Sequence, residues 1–235
     1  MVSGAAVVLK SRAQQAGTEG GASRLYLMIG YGKQKDDSQM KEEWEIVKST
    51  SIVKDKWIDL RADTCLSPQG RQLSPYYVLS YPDWVNIVAI TDEGNIVLVR
   101  QYRHAVQKVI LEIPGGAFDA SDCDGEAAAR REFEEETGYV ARKWEFISTL
   151  YPNPASHTNR LHIYLATGAT PKHTQRLDQG EEGLTVHLLS ISDVLTGMRS
   201  GLVGQALQVS SVFLALQAYG QLGCCKAASI REEIP

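Results

Sequence analysis

Short runs of β-branched and aromatic residues, separated by polar turns, dominate the chain from residue 44 to residue 101. Runs of about four to eight such residues are typical of β-strands. The first of them predict a small antiparallel β subdomain at residues 43–83, with a Pro-Gln-Gly turn at residues 68–70. The predicted strands of this subdomain lie at residues 45–49, 52–54, 57–61 and 76–81.

Strands and helices alternate in the following part of the chain, residues 84–222, which predicts a second and larger domain. A run of good helix formers at residues 126–137 predicts a helix that ends at Gly138, because helices commonly end in a left-handed residue. An Asp-Glu-Gly turn at residues 92–94 predicts a hairpin. Strands are predicted at residues 86–90, 95–101, 109–113, 144–150, 161–166 and 184–189, and further helices at residues 191–200 and 205–222.

Both ends of the chain differ from this domain in composition. Residues 1–39 contain the tracts GTEGGAS and GKQKDDSQ and lack the long apolar core of a signal peptide. We therefore expect a disordered or loosely ordered extension. Translation from Met40 is the alternative, because the compact sequence starts directly after it. Residues 223–235 are expected to form a tail.

Charge and cysteine usage narrow the range of functions. The formal charge is −4 over 235 residues, and the chain has no basic stripe, which argues against nucleic-acid binding. Cys65, Cys123, Cys224 and Cys225 show neither zinc-ligand spacing nor a secreted disulfide framework, which indicates a cytoplasmic protein. No apolar run approaches the roughly 18 residues that span a membrane, so no membrane partner is expected.

Three glutamates of the predicted helix are candidate metal ligands. Glu132, Glu135 and Glu136 are spaced i, i+3 and i+4, so their carboxylates share one helix face. Like charges at this spacing repel one another, and a hard divalent cation would remove the repulsion. Mg²⁺ takes oxygen ligands and is usually bound together with substrate phosphates. Taken alone, a solvated acidic face remains the commoner explanation of such a spacing.

The residues around these glutamates resemble the signature of the Nudix hydrolases. The segment REFEEETGY, residues 131–139, follows a Gly-Gly loop and an Ala-rich helix start, as in that family. The resemblance implies an α/β/α sandwich with a mixed sheet, which hydrolyses the diphosphate linkage of a nucleoside diphosphate derivative. It also implies that Glu132, Glu135 and Glu136 bind Mg²⁺, or Mn²⁺ because the same ligands suit both, and that Arg131 braces their carboxylates.

One position departs from the family pattern. The family has a glutamate eight residues before the motif arginine, where this chain has Cys123, and the spacer from Gly116 is one residue longer. That glutamate mainly braces the loop against the helix, and Asp119, Asp122 and Asp124 are the candidates to replace it. The departure keeps open a second function, in which the fold binds and senses a metabolite with weak or no hydrolysis.

The segment after the helix resembles one branch of the family. YPNPAS (residues 151–156) and RLHIYLA (residues 160–166) are similar to the matching region of ADP-ribose and nucleotide-sugar pyrophosphatases. The resemblance implies that ADP-ribose, cleaved to AMP and ribose 5-phosphate, or a related nucleotide sugar is the substrate. It also implies a homodimer that forms through the N-terminal strands. Decapping of RNA is a further family alternative, and the acidic charge argues against it.

Four positions before the helix are candidates for contacts with substrate or metal. Arg103 ends a predicted strand, and a guanidinium binds phosphate oxygens in a forked geometry, as an arginine does at the matching place in the family. Glu112 is a candidate contact for the substrate or for the adjacent loop. Gly115 and Gly116 let the backbone approach a ligand. The resemblance to the ADP-ribose pyrophosphatase branch implies that the carbonyl oxygen of Gly115 is a metal ligand.

The remaining candidates lie outside the helix region. In the family branch a loop glutamate positions or deprotonates the attacking water, and Glu181 and Glu182 both qualify. His157 and Asn159 are candidates to line the substrate loop, with local hydrogen bonding as the alternative. Trp57 is a candidate to stack on a nucleobase, although packing within the sheet is the expected role of such a residue.

Overall fold

The computed structural model describes residues 42–222, which belong to one compact unit. The extension predicted at residues 1–39 and the tail predicted at residues 223–235 lie outside the described residues, as do Cys224 and Cys225. Within the described part of the chain, every helix is too short or too polar to cross a membrane.

Three antiparallel strands form a first sheet, as the sequence predicts. In order across the sheet they are β1 (Glu45–Lys54), β2 (Asp59–Leu66) and β3 (Gln72–Leu79). The strands predicted at residues 45–49 and 52–54 are one continuous strand, with a register shift between Ser51 and Val53. All ten residues of β1 are exposed, and β1 is an edge strand within the described chain.

The hairpin between β1 and β2 corrects the expectation for Trp57. The Asp55 carboxylate accepts the backbone N–H groups of Trp57 and Ile58, at 2.7 and 2.9 Å. Because of this turn, β2 begins at Asp59, whereas the sequence predicts a strand that begins at Trp57. The Trp57 side chain is 78% exposed, with the Lys56 ammonium 4.5 Å from its ring centroid. The expectation that Trp57 packs within the sheet is therefore wrong.

Eight strands form a second, mixed sheet. They are β4 (Trp84–Thr91), β5 (Asn95–Arg103), β6 (Lys108–Glu112), β7 (Gly115–Ala117), β8 (Tyr139–Val140), β9 (Lys143–Leu150), β10 (Leu161–Pro171) and β11 (Thr185–Ser190). The main order is β11-β5-β4-β10-β8, with β6 on β5, β7 on β4 and β9 on β10. The β4–β10 pair is parallel and the other pairs are antiparallel. The sequence analysis missed β7 and β8, because such short strands show no periodicity.

Helices cover both faces of this sheet. They are α1 (Gly125–Thr137), α2 (Ile191–Met198) and α3 (Ala206–Ala218). Successive side chains of β4 point to opposite faces. Val85 and Ile87 pack in one cluster with Phe133 of α1, whereas Val88 and Ile90 pack in a second cluster with α2 and α3. This arrangement confirms the predicted α/β/α sandwich.

Local signals define both ends of α1. The Asp124 side chain accepts the backbone N–H of Ala127 at 2.8 Å and caps the helix start. Gly138 ends the helix with a φ of +72°, and its N–H bonds to the Glu134 carbonyl. Because α1 packs against β4 and β7, its glutamates lie beside the glycine loop.

Candidate active site

A cavity of about 400 Å³ lies where β4, β5, β7, α1 and α3 meet. Five residues predicted from the sequence line it: Arg103, Gly115, Gly116, Glu136 and Glu181. The other lining residues are Trp84, Val85, Asn86, Gln101, Ala117, Leu161, Gln205, Leu207 and Gln208. The fold thus brings a guanidinium, two carboxylates and the glycine loop to one place.

Glu136 is held against the glycine loop. Its Oε2 atom accepts the backbone N–H of Gly115 at 2.9 Å, and the residue is 2% exposed. Burial raises the pKa of Glu136 to about 8, and the negative charges of Glu181 and Glu132 act in the same direction. The ionised carboxylate is therefore unfavourable here, and a bound cation would stabilise it.

Glu132 lies one helical turn earlier, beside Gly116. A Cβ atom at Gly116 would overlap the Glu132 carboxylate, so glycine at this position leaves room for that carboxylate beside the loop. Burial raises the pKa of Glu132 to about 7, although the charge and hydrogen bond of Arg131 oppose the rise. Two adjacent carboxyl groups with raised pKa values are typical of a functional site.

Arg131 connects α1 to the loop before it. Its Nε and Nη2 atoms donate to the Asp122 carboxylate at 3.1 and 2.8 Å. Its Nη1 atom donates to Glu132 at 3.0 Å and to Glu135 at 3.2 Å, and Nη2 also donates to the Ala117 carbonyl at 3.0 Å. This is the geometry that the predicted bracing role requires.

Asp122 makes the bridge between loop and helix that the family pattern assigns to a glutamate. Its Oδ2 atom accepts the backbone N–H of Asp119 and the Arg131 guanidinium, both at 2.8 Å. The hydrogen bond from Arg131 lowers the pKa of Asp122, which favours the ionised form. Asp124 caps α1 instead, and Cys123 is exposed. Asp122 is thus the aspartate that joins the two segments.

Glu135 differs from Glu132 and Glu136 in its partners, because its carboxylate lies between two arginines. Its Oε1 atom lies 3.6 Å from Nη2 of Arg176, and its Oε2 atom lies 3.2 Å from Arg131. Across residues 42–222, no group of three or more His, Cys, Asp or Glu side chains stands arranged to hold a metal ion. The donor chemistry nevertheless fits a hard divalent cation, because Glu132 and Glu136 supply carboxylate oxygens and Glu136 has no ion pair among the described residues, whereas Glu132 pairs with Arg131.

Arg103 faces the cavity from the end of β5. Its Nε atom donates to Oε2 of Glu112 at 2.8 Å, and the side chains of Arg103 and Glu112 are 44% and 1% exposed. Glu112 does not line this cavity, and its Oε1 atom is buried without a hydrogen-bond partner among the described residues. Arg103 is therefore placed to contact an anion, while Glu112 orients Arg103.

The two loop glutamates differ in position. Glu181 lines the cavity and is half-buried, and its charge contributes to the raised pKa values of Glu132 and Glu136. Its Oε2 atom accepts the backbone N–H of Asp178 at 2.9 Å. Glu182 is exposed and outside the cavity lining. Glu181 is the one of the two that can act in the cavity.

Three further candidates lie outside the cavity lining. The His157 ring packs against Tyr81 and Trp84, with ring centroids 5.2 and 6.1 Å apart. Both side-chain polar atoms of Asn159 are buried without a hydrogen-bond partner among the described residues. Trp57 lies at the exposed β1–β2 hairpin. Of this group, His157 reaches the site only indirectly, by packing on Trp84.

The sequence analysis did not single out the amide residues of the cavity, which are Asn86, Gln101, Gln205 and Gln208. Nδ2 of Asn86 donates to Ser211 at 3.0 Å, and Oε1 of Gln208 accepts the Ile113 N–H at 2.9 Å. An amide inside an otherwise apolar strand, as at Asn86 in β4, is the signal that could have identified one of them.

Family models match both parts of the described chain. Residues 81–205 match the family described as NUDIX domain, and residues 44–79 match the nucleoside diphosphate sugar hydrolase N-terminal domain. The ADP-ribose pyrophosphatase of Bacillus subtilis (strain 168) is 32% identical over 182 residues, covering 75% of this chain and 97% of the relative.

Two further relatives and one solved structure extend the comparison. The ADP-ribose pyrophosphatase of Mycobacterium tuberculosis is 27% identical over 176 residues, covering 75% of this chain and 84% of the relative. The methanol dehydrogenase activator of Bacillus methanolicus is 34% identical over 140 residues, covering 59% of this chain and 75% of the relative. A crystal structure of an ADP compounds hydrolase matches with a TM-score of 0.67 over 77% of this chain and 97% of that chain. At 20% identity, this likeness shows the fold alone.

Proposed function

The chain belongs to the Nudix family of pyrophosphohydrolases, and from that membership we propose that its substrate is ADP-ribose or a related nucleotide sugar. Water attacks one phosphorus of the diphosphate and the bridging P–O bond breaks, so ADP-ribose yields AMP and ribose 5-phosphate. The names of the relatives from B. subtilis and M. tuberculosis support this substrate class, as does the match of residues 44–79.

One observation carries the proposal. The buried carboxyl groups of Glu132 and Glu136 adjoin Glu181, next to a cavity that Arg103 also lines. Carboxylates packed this closely repel one another, and burial increases the effect. A diphosphate accompanied by divalent cations supplies the missing positive charge at the carboxylates and a negative group for Arg103.

The family requires a divalent cation, and the residues present fit one. Glu132 and Glu136 would hold it with the carbonyl oxygen of Gly115, and Glu135 is a further predicted ligand. When bound, the cation neutralises the diphosphate, lowers the pKa of a bound water and stabilises charge on the bridging oxygen. We propose Mg²⁺, with Mn²⁺ as the alternative, because both accept carboxylate and carbonyl oxygens.

The protein groups have separate tasks in this proposal. Arg103, oriented by Glu112, binds a phosphate oxygen and stabilises the charge that develops in the transition state. Glu181 takes the proton of the attacking water as general base. Gly116 leaves room for the Glu132 side chain at the loop, and Arg131 holds that side chain in place.

A phosphate-release assay tests the proposal. The full chain is incubated with ADP-ribose, other nucleotide sugars or dinucleoside polyphosphates, with Mg²⁺, Mn²⁺ or chelator, and a coupled phosphatase reports the phosphomonoesters formed. We expect metal-dependent cleavage of ADP-ribose or another nucleotide sugar. Cleavage of dinucleoside polyphosphates alone would contradict the substrate class.

We also propose a cytoplasmic homodimer that forms through the first sheet. The support is the exposed edge strand β1, together with its apolar side chains. Trp57 does not line the cavity of its own chain. The role proposed for Trp57, stacking on a nucleobase, therefore requires a second copy of the chain.

A metabolite-sensing module is the second candidate. Its support is Cys123 at the family's glutamate position and the relative named as a methanol dehydrogenase activator. The bridge that Asp122 makes to Arg131 weakens the argument from Cys123. Incubation of the protein with ADP-ribose and Mg²⁺ distinguishes the candidates, since a sensor returns the nucleotide intact and a hydrolase returns AMP.

A further inference from the structure

The loop between β10 and β11 is anchored at its start to the end of α1. The Gly138 carbonyl accepts two consecutive backbone N–H groups of the loop. Nε2 of Gln175 donates to the Glu136 carbonyl at 2.6 Å, and the Arg176 N–H donates to the Glu135 carbonyl at 2.8 Å. These carbonyls belong to the last helical turn and its cap, where intrahelical partners are missing.

Gln101 makes the side-chain contact near the other end of the loop. Its Nε2 atom donates to the carbonyl of Gly180, the residue before Glu181, at 3.3 Å. Gln101 is 5% exposed and lies on β5. It is on the same strand face as Val97, which packs in the α1 cluster, and Arg103, which lines the cavity. The contact thus joins the rigid sheet to the segment that carries Glu181.

We propose that Gln101 is a positioning residue for the hydrolysis, which holds the Gly180 carbonyl so that Glu181 faces Glu132 and Glu136. The inference rests on the proposed role of Glu181 as general base. Gly180 and Gly183 lie on either side of Glu181, and Gly183 has a φ of +82°. Glycine permits many backbone conformations. Within the segment, Glu181 bonds to Asp178 in a short 3₁₀ turn, and the hydrogen bond from Gln101 ties that turn to the sheet.

The hydrogen bonding of Gln101 allows one substitution to distinguish a positioning role from a role in stability. Its Oε1 atom is buried with no partner among the described residues, which is unfavourable for folding. Leucine has a similar size and would remove that unpaired oxygen, while the exposed Gly180 carbonyl would bond to water instead. Gln101→Leu should therefore keep or raise the melting temperature and still lower kcat.

A double-mutant cycle tests the inference with ADP-ribose as substrate. We expect Gln101→Leu to lower kcat about tenfold and to leave KM within about threefold, because the inference assigns the Gln101 amide to the Gly180 carbonyl and not to the substrate. Glu181→Gln should lower kcat about 100-fold. The double variant should match Glu181→Gln, because a residue that acts through another has no further effect once that residue is disabled.

The outcomes distinguish this inference from the proposed function. If the two losses multiply in the double variant, Gln101 does not act through Glu181 and the inference is wrong, while the hydrolase stands. If Glu181→Gln keeps full kcat, the general-base role and this inference both fail, and AMP formation by the wild type still checks the hydrolase. Gln101→Met replaces Gln101→Leu if the leucine variant does not fold.

Amide hydrogen exchange provides a second readout. Residues 177–183 should exchange faster in Gln101→Leu than in the wild type, while peptides from β4 stay unchanged. Gln217→Leu is the control, because Gln217 is an exposed glutamine of α3 outside the cavity lining. It should change neither the exchange rate nor kcat. Unchanged exchange of residues 177–183 in Gln101→Leu would overturn the inference.

Discussion

The two sheets of this chain differ in how fully the chain itself covers them. Every residue of β1, in the first sheet, is exposed, whereas seven of the eight residues of β4, in the second sheet, are buried. The second sheet has helices on both faces and holds the cavity. The first sheet contributes no residue to the cavity lining.

The exposed side chains of the first sheet and its flanks include an unusual number of large apolar residues. They are Trp44, Ile46, Val47, Ile52, Val53, Trp57, Leu73 and Tyr77. Extended apolar surface of this kind marks an interaction site in soluble proteins. In the proposed dimer, one sheet carries the chemistry and the other carries assembly. Each should then be open to disruption without the other.

Glu136→Gln should produce the largest effect, and only on the chemistry. We expect kcat to fall about 1,000-fold, because glutamine removes a metal-binding charge from the site. The fold should persist, since a carboxyl group with a pKa of about 8 is largely protonated at neutral pH in the metal-free protein. Glu134→Gln, on the same helix but outside the cavity lining, is the control. Wild-type metal-dependent turnover by Glu136→Gln would refute the site assignment.

Charged residues in β1 should disrupt assembly instead. The double substitution Ile46→Lys with Ile52→Lys places two ammonium groups on the exposed edge strand, and we expect light scattering to report half the wild-type mass. Because Trp57 would then lack a second chain, KM should rise several-fold, with a smaller change in kcat. Leu188→Lys, at a partly exposed site in the second sheet, should leave the mass unchanged. A wild-type protein that is already monomeric would contradict the dimer.

The stability of the chelated protein should fall as pH rises from about 5 to about 9. Burial raises the folded-state pKa values of Glu132 and Glu136 from 4.5 to about 7 and about 8, so the folded chain retains protons that the unfolded chain releases. The contribution is fully present below about pH 4.5 and is lost as pH rises through about 7–8. At about 1.4 kcal/mol per pKa unit, the loss amounts to a few kcal/mol for each of the two carboxyl groups.

Urea unfolding at several pH values measures this dependence. Mg²⁺ should reduce the loss at high pH, because the cation stabilises the ionised carboxylates. Glu136→Gln should flatten the curve, whereas the Ile46→Lys, Ile52→Lys variant should retain it, since the titrating groups lie in the other sheet. Stability that rises with pH in the chelated wild type would mean that these carboxyl groups are ionised in the folded protein.

The sequence predicted the elements whose signals are local. The end of α1 at Gly138 and the spacing of Glu132, Glu135 and Glu136 are signals within one helix, and both sheets followed from short strand patterns. The exposure of Trp57 was missed, because it depends on a turn made by the Asp55 carboxylate.

Contacts between distant segments were beyond the reach of a single sequence. Gln101 and Gly180 are 79 positions apart, and nothing near either residue indicates that they meet. The choice between Glu181 and Glu182 depends on which one the folded loop turns toward the cavity. The choice among Asp119, Asp122 and Asp124 depends likewise on the path of the loop before α1.

Two substitutions in the loop before α1 test that last choice. Asp122→Asn should lower kcat about tenfold, because it removes the charge that pairs with Arg131 and so loosens the hold of Arg131 on Glu132. Cys123→Glu, which restores the family residue, should change kcat by less than about threefold, because Asp122 already makes the bridge. Phosphate release at saturating substrate and metal measures both variants. A large gain from Cys123→Glu would show that the bridge is incomplete, and it would favour the sensor over an efficient hydrolase.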